Sequence, residues 1–134
     1  MELEGFIEPG INLETTHTIE ERHAAMNVGS GSLRVLATPA MIGFMEINAN
    51  RLLASHLPPG AASVGVRVDV THLAPTPVGG SLRVRSQVLR VEGRRVYLSV
   101  QAWDEIELIG EGQHERVLID EARFLARVQA KASH

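Results

Sequence analysis

Three polar side chains stand where the pattern calls for apolar ones, and each brings its own chemistry. Glu46 lies in "LRVLATPAMIGFMEINANRLL" (33–53), on the face that also carries Ile42, Ala49 and Leu53 at spacings of 4, 3 and 4. Burying an unpaired carboxylate is expensive. Glu46 therefore either pairs with an arginine, Arg51 being close in sequence, or faces a pocket that solvent and a ligand reach. His72 closes the series Val64, Val66, Val68 and Val70 at period two. It is a core histidine satisfied by backbone, or a general acid/base that also polarises a carbonyl. Thr38 precedes Pro39. That order suits a helix N-cap, and the same geometry offers free N–H groups and a positive dipole end to a developing oxyanion.

Spacing constrains how these groups meet. Eight positions separate Thr38 from Glu46, roughly 12 Å of rise on a straight helix, so they cannot bond to each other along one helix. A shared site requires a substrate lying along the helix, a contribution from two subunits, or a Thr38 that bends back from a loop. His114 and Arg116 fall on one strand face with Gly112 in "GEGQHERVLI" (110–119). That face is either open to water or presents a guanidinium to a phosphate.

Other chemistries find no residues to carry them. The chain has no cysteine, which removes disulfides, thiolate metal sites and thiol nucleophiles. His17, His23, His56 and His134 show no metal-ligand spacing, and no HExxH, GxSxG, P-loop or GxGxxG motif occurs. A net charge of -3 gives no overall attraction to nucleic acid or anionic membrane. No apolar run reaches membrane-span length, and the acidic start "MELEGFIEPG" lacks the order of a secretory signal, so a cytoplasmic protein is expected.

The elements that must position these residues follow from periodicity. At 134 residues the chain makes one domain, 1–134, with 44% hydrophobic and 22% charged residues. A first strand is expected over 14–21. A helix of nearly five turns begins at Thr38, carries Met41, Phe44, Met45 and Leu52 at helical spacing, and stops at "PPG" (58–60). Val64 to Val70 then alternate as a half-buried strand. Further strands are expected over 82–91, with a bulge near Ser86, then over 96–102 and 109–119, and the tail "EARFLARVQAKA" reads as a short helix. One long apolar helix followed by antiparallel strands is covered only by a sheet wrapped around it. The fold class is α+β of the hot-dog kind, a curved antiparallel β-sheet around one central helix. Its open edge favours a homodimer or higher oligomer.

The succession "VLATPAMIGFME", "SVGVRVDVTHLAPTPVG", "VEGRRVYLSVQAWD" and "IGEGQHERVLI" resembles the hot-dog thioesterases related to fluoroacetyl-CoA thioesterase, over about residues 35–119. The resemblance implies catalytic residues at Thr38, Glu46 and His72 and substrate-binding residues at Gly65 and Arg116. It implies an acyl-CoA substrate held at the interface of a homodimer, with no metal and no cofactor besides the coenzyme A of the substrate. The segment "NVGSGSLRV" (27–35) lacks the aromatic, proline-rich lid of the fluoroacetyl enzyme, so fluoroacetyl selectivity is not part of the expectation. Hydrolysis of a short- or medium-chain acyl-CoA is the expected reaction. A non-catalytic acyl-CoA sensor and an acyl-thioester hydratase or dehydratase are the alternatives, beside a purely structural dimer.

Overall fold

The computed structural model describes residues 1–134. Strand β1 (Asn12–Thr18) is followed by a 3-10 turn (Glu21–His23) and the one-turn helix α1 (Ala25–Val28). The central helix α2 (Thr38–Ala54) comes next, then β2 (Ala61–His72), β3 (Ser81–Glu92), β4 (Arg95–Trp103) and β5 (Leu108–Asp120). Helix α3 (Glu121–Ala132) ends the chain. The five strands form one antiparallel sheet in the order β1-β3-β4-β5-β2, which leaves β1 and β2 at its edges.

Helix α2 buries Met41, Phe44, Met45, Asn48, Ala49, Leu52 and Leu53, an unbroken i, i+3, i+4, i+7 stripe. Its first half packs with Ile19, Leu82, Val100 and Ile109, and its second half with Val88, Val96, Leu98 and Leu118. Asn48 sits between these two apolar clusters, fully buried. Its amide donates to the Leu13 and Val84 carbonyls and to Thr15 Oγ1, and its Oδ1 accepts from Ser86, so every polar atom is satisfied and the helix is tied to β1 and β3.

Several details differ from the sequence expectation. The first strand begins and ends earlier, because residues 21–23 turn to lead into α1. The β3 bulge lies between Val88 and Arg90 rather than at Ser86, whose inward position is used to bond Asn48. The largest difference is in β2. A bulge between Gly65 and Arg67 inserts Val66 as an extra residue. Partners across an antiparallel ladder point to the same side. Gly65 is opposite Arg116, whereas Val68, Val70 and His72 are opposite His114, Gly112 and Gly110. The helix-facing set is therefore Ser63 and Gly65 before the bulge and Val68, Val70 and His72 after it. Val64 belongs to the other face. Without the bulge, Gly65 and His72, seven positions apart, would face opposite sides.

Candidate active site

Thr38 is the first helical residue of α2 rather than its cap. Ala37 holds the N-cap position in extended backbone, with no side-chain cap bond. The Thr38 hydroxyl is thus free to reach across to β2, where Oγ1 lies 2.7 Å from His72 Nδ1. Burial holds the His72 ring below the ordinary histidine value, with a weaker pull from the Ala74 backbone in the other direction. The ring is therefore neutral at pH 7. With the Thr38 O–H donating to Nδ1, the ring proton is assigned to Nε2. That nitrogen is buried and has no hydrogen-bond partner. A cleft of about 320 Å³ opens beside the pair, bordered by Ala25, Ser30, Leu73 and Pro75. Ser30, from the segment after α1, stands on one wall.

Glu46 lies two turns further along α2, at the rim of the buried stripe, with its side chain 45% exposed. It faces β2 at Gly65 and points toward Arg116 rather than Arg51, Oε2 standing 3.7 Å from the Arg116 guanidinium. A β-carbon at residue 65 would come within 2.5 Å of Glu46 Oε2, so only glycine leaves the carboxylate its place. Arg116 and His114 are 6% and 1% exposed, so their strand face is turned to the helix and not to water. Arg116 donates from Nε to Ser63 Oγ (2.8 Å) and from its terminal nitrogens to the Ser63 carbonyl (3.1 Å) and His114 Nε2 (3.1 Å). His114 in turn donates from Nδ1 to the Arg67 carbonyl (2.9 Å). Burial lowers the proton affinity of both His114 and Arg116, and the neighbouring Glu46 opposes this in each. The result is a fixed cation beside a half-exposed carboxylate.

The structure therefore brings Thr38 together with His72, and Glu46 together with Gly65 and Arg116. It does not join the two sets within one chain. Thr38 and Glu46 are about 12 Å apart along the helix, and Gly65 and His72 are roughly 20 Å apart along β2. Ser63 and His114 form the support of Arg116, a role that appears only when the β2 bulge is counted. No group of three His, Asp or Glu side chains is placed to hold a metal ion.

A five-stranded antiparallel sheet wrapped around one central helix is the hot-dog fold, with the threonine–histidine pair at the start of that helix and Glu46 two turns on. Comparison with known proteins places the chain more narrowly. The sequence pattern of the family described as fluoroacetyl-CoA-specific thioesterase, FlK, matches residues 19–122. The fluoroacetyl-CoA thioesterase of Streptantibioticus cattleyicolor is 42% identical over 97 residues, covering 72% of this chain and 70% of that protein. A solved structure of the fluoroacetyl-CoA thioesterase FlK superimposes with a TM-score of 0.87 at 32% identity, over 93% of this chain and 97% of that one. A Thermus thermophilus thioesterase superfamily member of otherwise hypothetical function superimposes with a TM-score of 0.87 at 27% identity, over 95% and 94%. The chain belongs to the fluoroacetyl-CoA-specific thioesterase family.

Proposed function

We propose that this protein hydrolyses a short- or medium-chain acyl-CoA to the free acid and CoA, at a site shared between two copies of the chain. The observation that carries the proposal is the division of the polar residues into two sets along an unpaired sheet edge. Val66 and Val68 on that edge are 47% and 38% exposed. An antiparallel pairing of β2 with its own copy, centred on Asp69 and with Val66 as the extra residue of the bulge, sets Gly65 opposite His72 of the partner subunit. One such homodimer removes two open edges and builds two sites, each with Thr38 and His72 from one chain and Glu46, Gly65 and Arg116 from the other.

In this arrangement the Thr38 hydroxyl and the N-terminus of α2 hold the thioester oxygen as negative charge develops on it. Glu46 takes a proton from water, whose oxygen adds to the carbonyl carbon; direct attack by Glu46 to give a mixed anhydride is the other route open to it. The C–S bond breaks, and the departing thiolate takes the proton that Glu46 gained, which returns Glu46 to the carboxylate; His72 stays neutral and orients the water or the carboxylate by donating from its ring N–H. Coenzyme A enters only as part of the substrate, and no metal or redox group is needed. An acyl-CoA substrate fits a protein working in the cytoplasm. The Gly/Ser-containing wall of the cleft, in place of an aromatic lid, favours simple acyl groups over fluoroacetyl.

Thiol release from a panel of acyl-CoAs tests the reaction, and the absence of cysteine removes background from the protein itself. Thr38→Ala and Glu46→Gln are each expected to lower kcat by about 10²–10⁴. Refolding the two inactive variants together in equal amounts tests the shared site. Random pairing gives intact composite sites at about a quarter of the wild-type number, and activity returns to about that level. Full turnover by Glu46→Gln would remove hydrolysis through this site. A mixture that stays inactive would remove the division between subunits.

A further inference from the structure

We infer that His114 is a positioning residue for the reaction: as a neutral acceptor it locks the Arg116 guanidinium in front of Glu46, and its protonation releases that arginine and stops turnover. The inference rests on Glu46 being the working carboxylate of the hydrolysis proposed above, and it adds a residue and a proton-controlled lock that the mechanism does not use. The three side chains meet at one point. A β-carbon built on Gly65 would stand 2.5 Å from Glu46 Oε2, 3.2 Å from His114 Cε1 and 3.3 Å from Arg116 Nη1. The space that Gly65 leaves open is where the carboxylate of α2 meets the two basic groups of β5.

Hydrogen-bond roles fix the protonation state of His114. A carbonyl only accepts, so the Arg67 C=O, 2.9 Å away, requires a proton on Nδ1. A guanidinium only donates, so Arg116 Nη1, 3.1 Å away, requires a bare Nε2. The ring is therefore held as the neutral Nδ1–H tautomer, the opposite of the one assigned to His72. An imidazolium here would aim its Nε2–H at a group that can only donate. Burial acts in the same direction and holds the ring below the ordinary histidine value. The Arg116 charge adds to this, and the Arg67 carbonyl, Glu46 and Glu115 oppose it. The ladder partners of His114, Val68 on β2 and Leu98 on β4, bring no charge to the ring. Because the ring is fully buried, solvent does not replace a lost bond.

Arg116 has few donors left. Its Nε goes to Ser63 Oγ, one terminal nitrogen to the Ser63 carbonyl, and Nη1 to His114 while it faces Glu46 at 3.7 Å. No pair of parallel N–H groups stays free to clasp a phosphate or a carboxylate of the substrate. The guanidinium is thus directed at Glu46 and orients the carboxylate that takes the proton from water. The Arg67 carbonyl belongs to the residue that follows Val66 at the β2 bulge, so His114 also ties this orientation to the bulge. When His114 takes a proton, its new N–H confronts the Nη1 donor and two cations repel. Arg116 then leaves its place, and Glu46 loses its fixed partner.

Nitrogen-15 spectra of the side chains, read beside pH profiles of turnover, test the lock. In the wild-type protein the His114 ring, assigned by its loss in His114→Gln, is expected to carry its proton on Nδ1 and to stay neutral as the pH passes below the ordinary histidine value. The Arg116 Nε–H signal is expected to vanish in step with protonation of that ring. Glutamine keeps both roles, since its amide oxygen accepts from Arg116 and its nitrogen donates to Arg67, but it takes no proton. The kcat of His114→Gln at neutral pH is expected to lie within about threefold of the wild type, with the acid limb of kcat moved to lower pH. His114→Leu removes the acceptor and is expected to lower kcat by about tenfold with KM nearly unchanged. An Nε2–H tautomer at His114, an imidazolium at neutral pH, or an acid limb in His114→Gln that coincides with the wild type overturns the inference. So does a folded His114→Leu with wild-type kcat; if that variant does not fold, His114→Gln and the spectra decide. A protein that hydrolyses no acyl-CoA but shows the Nδ1–H ring and the pH-dependent Arg116 signal would reject hydrolysis while sustaining the lock, so the two readings fail separately.

Discussion

The two halves of the candidate site are built on opposite principles. At the start of α2, Thr38 and His72 form a neutral pair whose one remaining polar atom, His72 Nε2, has no hydrogen-bond partner. Around Gly65, the cation of Arg116 is fastened by Ser63 and His114, and Glu46 stands half-exposed in front of it. The first half is neutral and incomplete. The second is charged and well supported, but it offers its carboxylate outward. A buried polar atom without a partner costs free energy, whereas the half-exposed carboxylate of Glu46 is in contact with water. Each half thus has what the other lacks, and the proposed pairing across the β2 edge would bring the two together.

The largest effect that would break this comparison comes from Gly65→Ala. The added methyl takes the space of Glu46 Oε2, while residue 65 needs no left-handed backbone, so the chain folds and the carboxylate is displaced. kcat/KM for thioester hydrolysis is expected to fall by roughly 10²-fold, with a melting temperature close to that of the wild type. Normal turnover in Gly65→Ala would show that the position of Glu46 does not matter. Arg116→Met comes next. It leaves Ser63 and His114 without their shared donor and is expected to cost about 2 kcal/mol in denaturant unfolding, chiefly from those buried groups, because the half-exposed Glu46 is partly screened by water. A variant as stable as the wild type would mean that the Arg116 support is not structural.

The smallest effect is on stability against pH. Burial is the largest influence on His17, His23, His72 and His114, and it holds all four below the ordinary value of 6.5. The unfolded chain binds more protons than the folded one between those lowered values and 6.5. This contribution is complete above about pH 6.5 and is lost as the pH falls toward the lowered values. The melting temperature is expected to be level above neutrality and to decline below pH 6.5. His114→Gln should flatten the decline more than His72→Gln, because His114 is the more deeply buried of the two. The reverse order would show that the threonine–histidine half is the more buried one in solution.

How much could be read in advance depended on how local the signal was. The buried stripe of α2 follows from a 3.6-residue period and is found as expected, whereas Glu46, which the spacing put on the apolar face, sits at its rim. The order of strands after the helix follows from alternation and turn residues, and β5 and α3 lie close to where those signals put them. The face of β2 was misread because alternation carries no mark of a bulge: Val66 looks like any other valine of its series. The assignments of Thr38, Glu46, His72, Gly65 and Arg116 came from the resemblance, not from periodicity. Their separation into two groups was only hinted at by the eight-residue spacing.

The sequence by itself determined the class of fold and the buried face of the central helix, because these depend on contacts a few residues apart. Tertiary structure decided that Thr38 serves His72, 34 residues away, instead of capping its own helix. It also decided that Arg116 is buried behind Glu46. Strand register and the crossing of helix over sheet set these contacts, and both are properties of the packed chain that no local pattern encodes.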